Sequence, residues 1–333
     1  MKILFIGGNG NISWYCVQKA IDEGHQVYEL NRGITRKTRR QLQPEVRELI
    51  CDIRNKDEVE KVLGDITFDV VCDFICYNEI HAQVAIELFK NRTKRYIFIS
   101  SEAVYKRLPN AQPFNENSLK YNENEIGGYI GGKISAEKTF IKAYETIGFP
   151  VTIVRPGYTY DTIMPSSLGH NCFTLAKKIR EGFPMLVFGD GKNLLAPLHS
   201  RDFAEAFYYI VTNRNTIGDD YQITSTNTLT MNEMAKFVVS ALGGVNKQII
   251  NIPYNDVLAM SEDTELIKQQ LLDYVFDNTK LSKIAPEWKQ KILFEDGILK
   301  TVAWYDEDDC HKRIDLNFEN ELDKLYDVYW REK

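Results

Sequence analysis

The chain predicts a doubly wound α/β fold, a parallel sheet covered by helices on both faces, with a smaller lobe toward the carboxyl end. Three observations carry this expectation. Short runs rich in β-branched and aromatic residues alternate with amphipathic stretches through the first half, the pattern of βαβ crossover units. The first run, Lys2–Ile6, passes straight into a glycine-rich turn. The 333 residues, 44% apolar and 26% charged, are ordinary for a folded chain with one large domain and a smaller one, and they exclude a disordered or fibrous protein.

Taken in order, the strands are Lys2–Ile6, Gln26–Leu30, Glu48–Ile50, Val70–Phe74, Arg95–Ile99 and Val151–Val154. Between them Trp14–Glu23, Lys56–Leu63, Ile80–Lys90 and Ser135–Ile147 carry apolar residues at helical spacing. Past Pro156 the alternation weakens into loops rich in Gly, Pro and Asn, with helices at Phe203–Thr212 and Met231–Leu242. The expected division is a first domain over 1–160 and a smaller lobe over 161–333, with part of 202–225 returning to the main sheet.

Composition narrows the function classes. Forty-one Lys+Arg against 47 Asp+Glu give a net charge of −6, which leaves no global electrostatic reason to bind nucleic acid or an anionic membrane and points to small-molecule chemistry. No run approaches the ~18 apolar residues of a spanning helix. The opening residues lack the longer apolar core of a signal peptide, and six cysteines are spread thinly, so a reducing, cytoplasmic setting is expected. Cys72 and Cys76 lie in one apolar run with no matching second pair; they read as buried thiols, not metal ligands, and no metal site is expected.

The turn Gly7-Gly8-Asn9-Gly10-Asn11-Ile12-Ser13, between a strand and a helix, has the context of a dinucleotide fingerprint. Glycines let the backbone turn tightly and approach a pyrophosphate, while the helix start around Asn11 and Ile12 supplies N–H groups and partial positive charge. Gly7 and Gly10 keep the G-x-x-G spacing, and Ser13 stands where a third glycine would fall. At the end of the second strand an acid would bind a ribose 2′-hydroxyl, whereas a neutral residue beside arginine accommodates a 2′-phosphate. Here Asn31 and Arg32 occupy those places and Arg36, Lys37, Arg39 and Arg40 follow, so NADP is favoured; Glu29 within reach of the ribose keeps NAD as the alternative. Asp52 and Ile53, after the third strand, are placed to meet the adenine edge.

Tyr129 and Lys133 have the spacing Y-x-x-x-K, which on a helix puts both on one face, one turn apart. A free tyrosine, with a pKa of ~10, is a poor acid or base near neutrality, and an adjacent ammonium favours the phenolate. Ser101, just past a strand end, is placed to hydrogen-bond a substrate oxygen and orient the tyrosine.

These motifs, with Asp52, Ile99-Ser100-Ser101-Glu102-Ala103-Val104-Tyr105 and Val154-Arg155-Pro156, resemble the short-chain dehydrogenase/reductase superfamily, and within it the extended NAD-dependent epimerase/dehydratase group, over nearly the whole chain. The resemblance implies a Rossmann sheet and a Ser101/Tyr129/Lys133 triad, with Ser101 four residues before the strand-end Tyr105. It further implies proton transfer by Tyr129 coupled to hydride transfer at a nicotinamide, and a homodimer packed through the helices near Ile80–Lys90 and Ser135–Ile147.

Departures from that pattern bear on substrate. The group's sugar-nucleotide 4,6-dehydratases carry an Asp-Glu pair after the catalytic threonine; here the pair reads Glu102-Ala103, and without the second acid simple 4,6-dehydration is not expected. The arginine with which nucleotide-sugar epimerases hold a diphosphate after Gly189-Asp190-Gly191 is replaced by Leu195, and a common asparagine by Tyr158. The expected substrate is therefore a sugar-like hydroxyl or carbonyl compound, a nucleotide sugar remaining open, with Glu102, Tyr158 and His199 as candidate contacts; for Tyr158 and His199 packing is the competing role. A second reading is a non-catalytic, NAD(P)-binding regulatory or RNA-associated protein, because Arg32-Gly33 also resembles the chloroplast stem-loop-binding branch of the superfamily. The acidic net charge and the retained Y-x-x-x-K favour the enzyme.

Overall fold

The computed structural model describes residues 1–34, 38–108, 111–166, 172–260 and 272–331. Strands β1 (Lys2–Ile6), β2 (Gln26–Asn31), β3 (Arg47–Ile50), β4 (Val70–Asp73), β5 (Tyr96–Ile99) and β6 (Val151–Pro156) join the strand Asp220–Ile223 in one seven-stranded parallel sheet. Across the sheet the order is Asp220–Ile223, β6, β5, β4, β1, β2, β3. The central strands are apolar at almost every position because helices cover both faces.

Helices α1 (Ser13–Asp22) and Ser200–Thr212 pack on one face, where Val17, Ala20, Phe203 and Phe207 meet Phe5, Ile97 and Val154. On the other, α2 (Lys56–Leu63), α3 (Glu79–Phe89) and α4 (Gly128–Ile147) bury Val59, Ala85 and Phe140 against Leu4, Val71 and Phe98. A separate core in the carboxyl-terminal half gathers Ile179, Leu186, Met234, Val238, Ile298 and Leu322 around a short parallel pair, Met185–Phe188 with Ile249–Ile252. Asn55 and Asn78 cap α2 and α3 by accepting the Glu58 and His81 amides.

α4 starts seven residues before the expected Ser135. Its first two turns hold three glycines and a fourth stands at the N-cap, poor helix formers that mask the signal, and tertiary contact overrides propensity. A Cβ at Gly131 would lie 2.2 Å from the Ile126 carbonyl oxygen, and one at Gly132 2.3 Å from that of Tyr77. Only glycine lets this helix approach the end of β4 so closely, and the approach carries Tyr129 and Lys133 to the sheet's carboxyl edge.

Cys72 and Cys76 are buried thiols, as the apolar run implied. Among the described residues no helix is long and apolar enough to cross a membrane.

Candidate active site

A cleft of about 550 Å³ opens along the carboxyl ends of β1, β2, β4 and β5. Its floor is the loop after β1. Gly7 has φ of +77°, and a Cβ there would lie 2.6 Å from Ile75 Cγ2, so the turn demands glycine on both counts. Ser13, in place of the third glycine, stitches the loop: its hydroxyl donates to the Gly7 carbonyl at 2.7 Å and accepts the Gly10 amide at 2.9 Å. The Asn11 side chain donates to the Thr159 carbonyl at 3.2 Å and accepts the Thr162 amide at 3.0 Å, tying the loop to the segment after β6. Gly7, Gly10, Asn11 and Ile12 all line the cleft at the start of α1. A narrow glycine cradle facing a helix amino terminus fits a dinucleotide diphosphate.

At the second strand's end, Asn31 borders the cleft but its amide is engaged elsewhere. It donates to Glu29 at 3.0 Å and Glu48 at 3.2 Å, and accepts the Gly33 amide at 2.7 Å. Glu29 is fully buried, and burial lifts its carboxyl to about 7 against hydrogen bonds from Asn31 and the Asn9 backbone. Arg32, Arg39 and Ile53 line the wall, and no carboxylate does among the described residues. Two expectations are corrected. Asp52 is drawn away from the cleft by Arg54, 3.5 Å away, and Arg32, 3.9 Å away, and borders a neighbouring shallow depression. Arg40 is a bidentate partner of buried Asp161, at 2.7 and 2.8 Å, with its guanidinium over Trp14 and Tyr15, so it belongs to the scaffold. Arg36 lies outside the described residues.

Tyr129 and Lys133 meet the cleft from α4. The Lys133 ammonium donates to the Cys76 and Ile99 carbonyls at 2.6 and 2.7 Å, which leaves one of its three N–H bonds uncommitted. It lies 5.7 Å from the centre of the Tyr129 ring and 4.9 Å from that of Tyr77. Burial lowers its pKa to about 8, opposed by the charges of Cys76, Asp73 and Glu137. Ser101 caps the turn Glu102–Val104: its hydroxyl accepts the Ala103 amide and donates to Glu102 Oε2, both at 3.2 Å.

The expected lowering of the Tyr129 phenol is not what the structure shows. Burial and then the Glu102 carboxylate push it up to about 12, with the Ser101 hydroxyl opposing. Two of the three ammonium N–H bonds are spent on backbone carbonyls, and the carboxylate beside Ser101 prevails. Glu102 is itself raised by burial, with the Arg107 charge opposing.

Behind Tyr129 and Lys133, residues without a sequence signal form a buried network. Glu137, one turn beyond Lys133, accepts the Ser100 hydroxyl at 2.6 Å and two Arg155 bonds at 2.8 Å, while Arg155 also reaches Asp220 at 2.6 Å. It joins α4 to β6, to the strand Asp220–Ile223 and to the residue before Ser101. Tyr77 is a further missed lining residue; its place at the end of β4, where doubly wound folds bind ligands, was the available clue.

Tyr158 is half-buried, bonded to the Ser166 backbone, and faces the Glu102 charge. His199 corrects an expectation: fully buried, it caps the helix Ser200–Thr212 by accepting the Arg201 amide at 3.1 Å, between Tyr15 and Tyr160. Burial holds it neutral with a pKa of about 4, and it does not line the cleft.

Comparison with known proteins places these features in a family. The model of the NAD dependent epimerase/dehydratase family matches residues 3–224. A trifunctional UDP-glucose 4,6-dehydratase/UDP-4-keto-6-deoxy-D-glucose 3,5-epimerase/UDP-4-keto-L-rhamnose-reductase of Arabidopsis thaliana is 25% identical over 72% of this chain and 34% of its own. A dTDP-D-glucose 4,6-dehydratase of Mus musculus is 24% identical over 72% of this chain and 64% of its own. The chain thus spans less than two thirds of either relative. The crystal structure of a dTDP-glucose 4,6-dehydratase from Bacillus anthracis, in complex with NAD, shares the fold with a TM-score of 0.72 at 21% identity, over 93% of this chain and 97% of that one.

Proposed function

This chain belongs to the NAD dependent epimerase/dehydratase family, and we propose that it is an NAD(P)-dependent oxidoreductase or epimerase acting on a hydroxyl or carbonyl of a sugar-like substrate through Ser101, Tyr129 and Lys133. One observation carries the reading: Tyr129 and Lys133 both line a glycine-floored cleft, with the Lys133 ammonium 5.7 Å from the centre of the Tyr129 ring.

The bound dinucleotide supplies a hydride acceptor or donor at its nicotinamide. Gly7, Gly10 and the amides at the start of α1 hold its diphosphate, and the uncommitted Lys133 N–H serves a ribose hydroxyl. NADP is favoured because Arg32 and Arg39 line the wall where no carboxylate does. Tyr129, protonated at neutral pH, delivers its proton to a substrate carbonyl oxygen, and in the reverse direction recovers it from the alcohol. Ser101 orients the same oxygen. The lobe after residue 160 receives the substrate, with Glu102 and Tyr158 beside it. Ala103 offers no second acid for loss of water, which favours redox or epimer chemistry over dehydration. Relatives named for UDP- and dTDP-glucose support a hexose nucleotide as the substrate class. Exposed Ile80 on α3 and Ile141, Tyr144 and Ile147 on α4 suit a homodimer through those helices.

NMR and mass spectra of hexose nucleotides incubated with the chain and NADP⁺ or NAD⁺ test the proposal. A keto-sugar or an epimer supports it. Unchanged hexose, despite firm dinucleotide binding, would instead favour the non-catalytic reading.

A further inference from the structure

The Lys133 ammonium is buried, and among the described residues no carboxylate forms an ion pair with it. The two carboxylates whose charges reach it are engaged elsewhere. Asp73 accepts the Tyr96 hydroxyl at 2.6 Å and the Ile75 amide at 2.9 Å, and Glu137 holds Ser100 and Arg155. Three aromatic rings face the ammonium instead, which lies 4.9 Å from the ring centre of Tyr77, 5.2 Å from that of Phe98 and 5.7 Å from that of Tyr129. We propose that Tyr77 is a positioning residue of the active site, whose ring face stands in for a counter-ion and keeps Lys133 charged and in place beside Tyr129. This role rests on the assignment of Tyr129 and Lys133 above.

Position and chemistry carry the assignment. The residue before Tyr77 gives the lysine its carbonyl, so one short loop supplies both a hydrogen bond and a ring. That loop is fixed by α3: Asn78 accepts the His81 amide at 3.0 Å, and the Tyr77 amide donates to His81 Nδ1 at 3.1 Å. The Tyr77 ring packs against those of His81 and Tyr129, with 6.2 and 6.3 Å between centres. Phe98 belongs to the core, 4.9 Å from the Phe140 ring, and Tyr129 moves the proton; Tyr77, on the cleft wall, is the ring left to hold the lysine. A ring face attracts an ammonium most strongly where water is excluded. The charge matters because a neutral amine has only two N–H bonds, and the Cys76 and Ile99 carbonyls take both. Only the ammonium keeps a third for a ribose hydroxyl. Among the described residues, the titratable groups facing Lys133 are Asp73, Cys76 and Tyr77 at and after the end of β4, His81 on α3, and Tyr129 and Glu137 on α4. Burial lowers His81 from its ordinary 6.5 and raises Cys76, Tyr77 and Tyr129, so Lys133, held at about 8 chiefly by burial, loses its proton between them.

Carbon-13 spectra of the full chain, labelled at its lysine side chains and free of ligand, read the Lys133 titration directly, with Lys133→Arg assigning the resonance. The parent should titrate near 8, and Tyr77→Phe, which keeps the ring face, should titrate with it. Tyr77→Leu removes the face and should titrate about one pH unit lower. On a hexose nucleotide that the parent converts, the basic limb of kcat against pH should move by the same amount in Tyr77→Leu and return in Tyr77→Phe. Titration of Tyr77→Leu at or above the parent's pH overturns the ring's role in holding the charge. A shifted resonance with an unmoved limb overturns its role in the reaction. Because the spectra need neither substrate nor dinucleotide, they decide the ring contact even where the proposed reaction fails. Should Tyr77→Leu not fold, Tyr77→Met takes its place in both arms.

Discussion

Glu29 lies directly beneath Gly8, so close that a Cβ on Gly8 would sit 2.9 Å from the Glu29 carboxylate. The glycine loop thus rests on a fully buried acid whose pKa burial raises to about 7 from an ordinary 4.5. Between those values the folded chain holds a proton that the unfolded chain has lost. The stabilisation is fully present below 4.5 and is lost as pH rises through about 7. Glu29→Gln should remove this pH dependence and be the more stable form above pH 7, by up to about 3 kcal/mol. Denaturant midpoints across that window check it; parallel profiles for the two proteins would contradict it.

Ser13→Ala deletes both hydrogen bonds that stitch the loop, to Gly7 and Gly10. The cost should be about 1–2 kcal/mol of stability, with dinucleotide affinity falling about tenfold as the cradle loosens. Equilibrium unfolding and a cofactor titration read the two effects separately.

Glu137→Ala leaves Arg155 buried with only Asp220 as a charged partner and frees the Ser100 hydroxyl. Loss of one member of a buried ion pair predicts about 3 kcal/mol of destabilisation. A melting temperature within a degree or two of the parent's would show the network to be dispensable.

His199→Ala should lower stability by about 1–2 kcal/mol through the lost cap, while turnover on a confirmed substrate stays near that of the parent. His199→Asn, which restores a cap, should recover part of the loss. Because burial holds His199 near 4, its titration contributes nothing to the pH profile of turnover near neutrality.

The sheet was legible in the sequence because Val70–Cys72 and Tyr96–Ile99 are buried on both faces and read as apolar runs. Tyr129 and Lys133 both reach the cleft from α4, as a Y-x-x-x-K spacing on one helix allows. The start of α4 was hidden because its glycines are selected by contact with Tyr77 and Ile126, not by helix propensity. Asn31 borders the cleft, and no local signal tells that Glu29 and Glu48 claim its amide. The Glu137–Arg155 pair and the capping role of His199 depend on residues 18 or more positions apart or on a helix end, which spacing alone does not reveal.

The central claim is that Tyr129 moves the proton. Its most direct test is kcat for parent and Tyr129→Phe on a hexose nucleotide that the parent converts, with cofactor affinity measured alongside. The account predicts a fall of about 10²–10⁴-fold in kcat with dinucleotide affinity nearly unchanged. An unchanged kcat in Tyr129→Phe would contradict it.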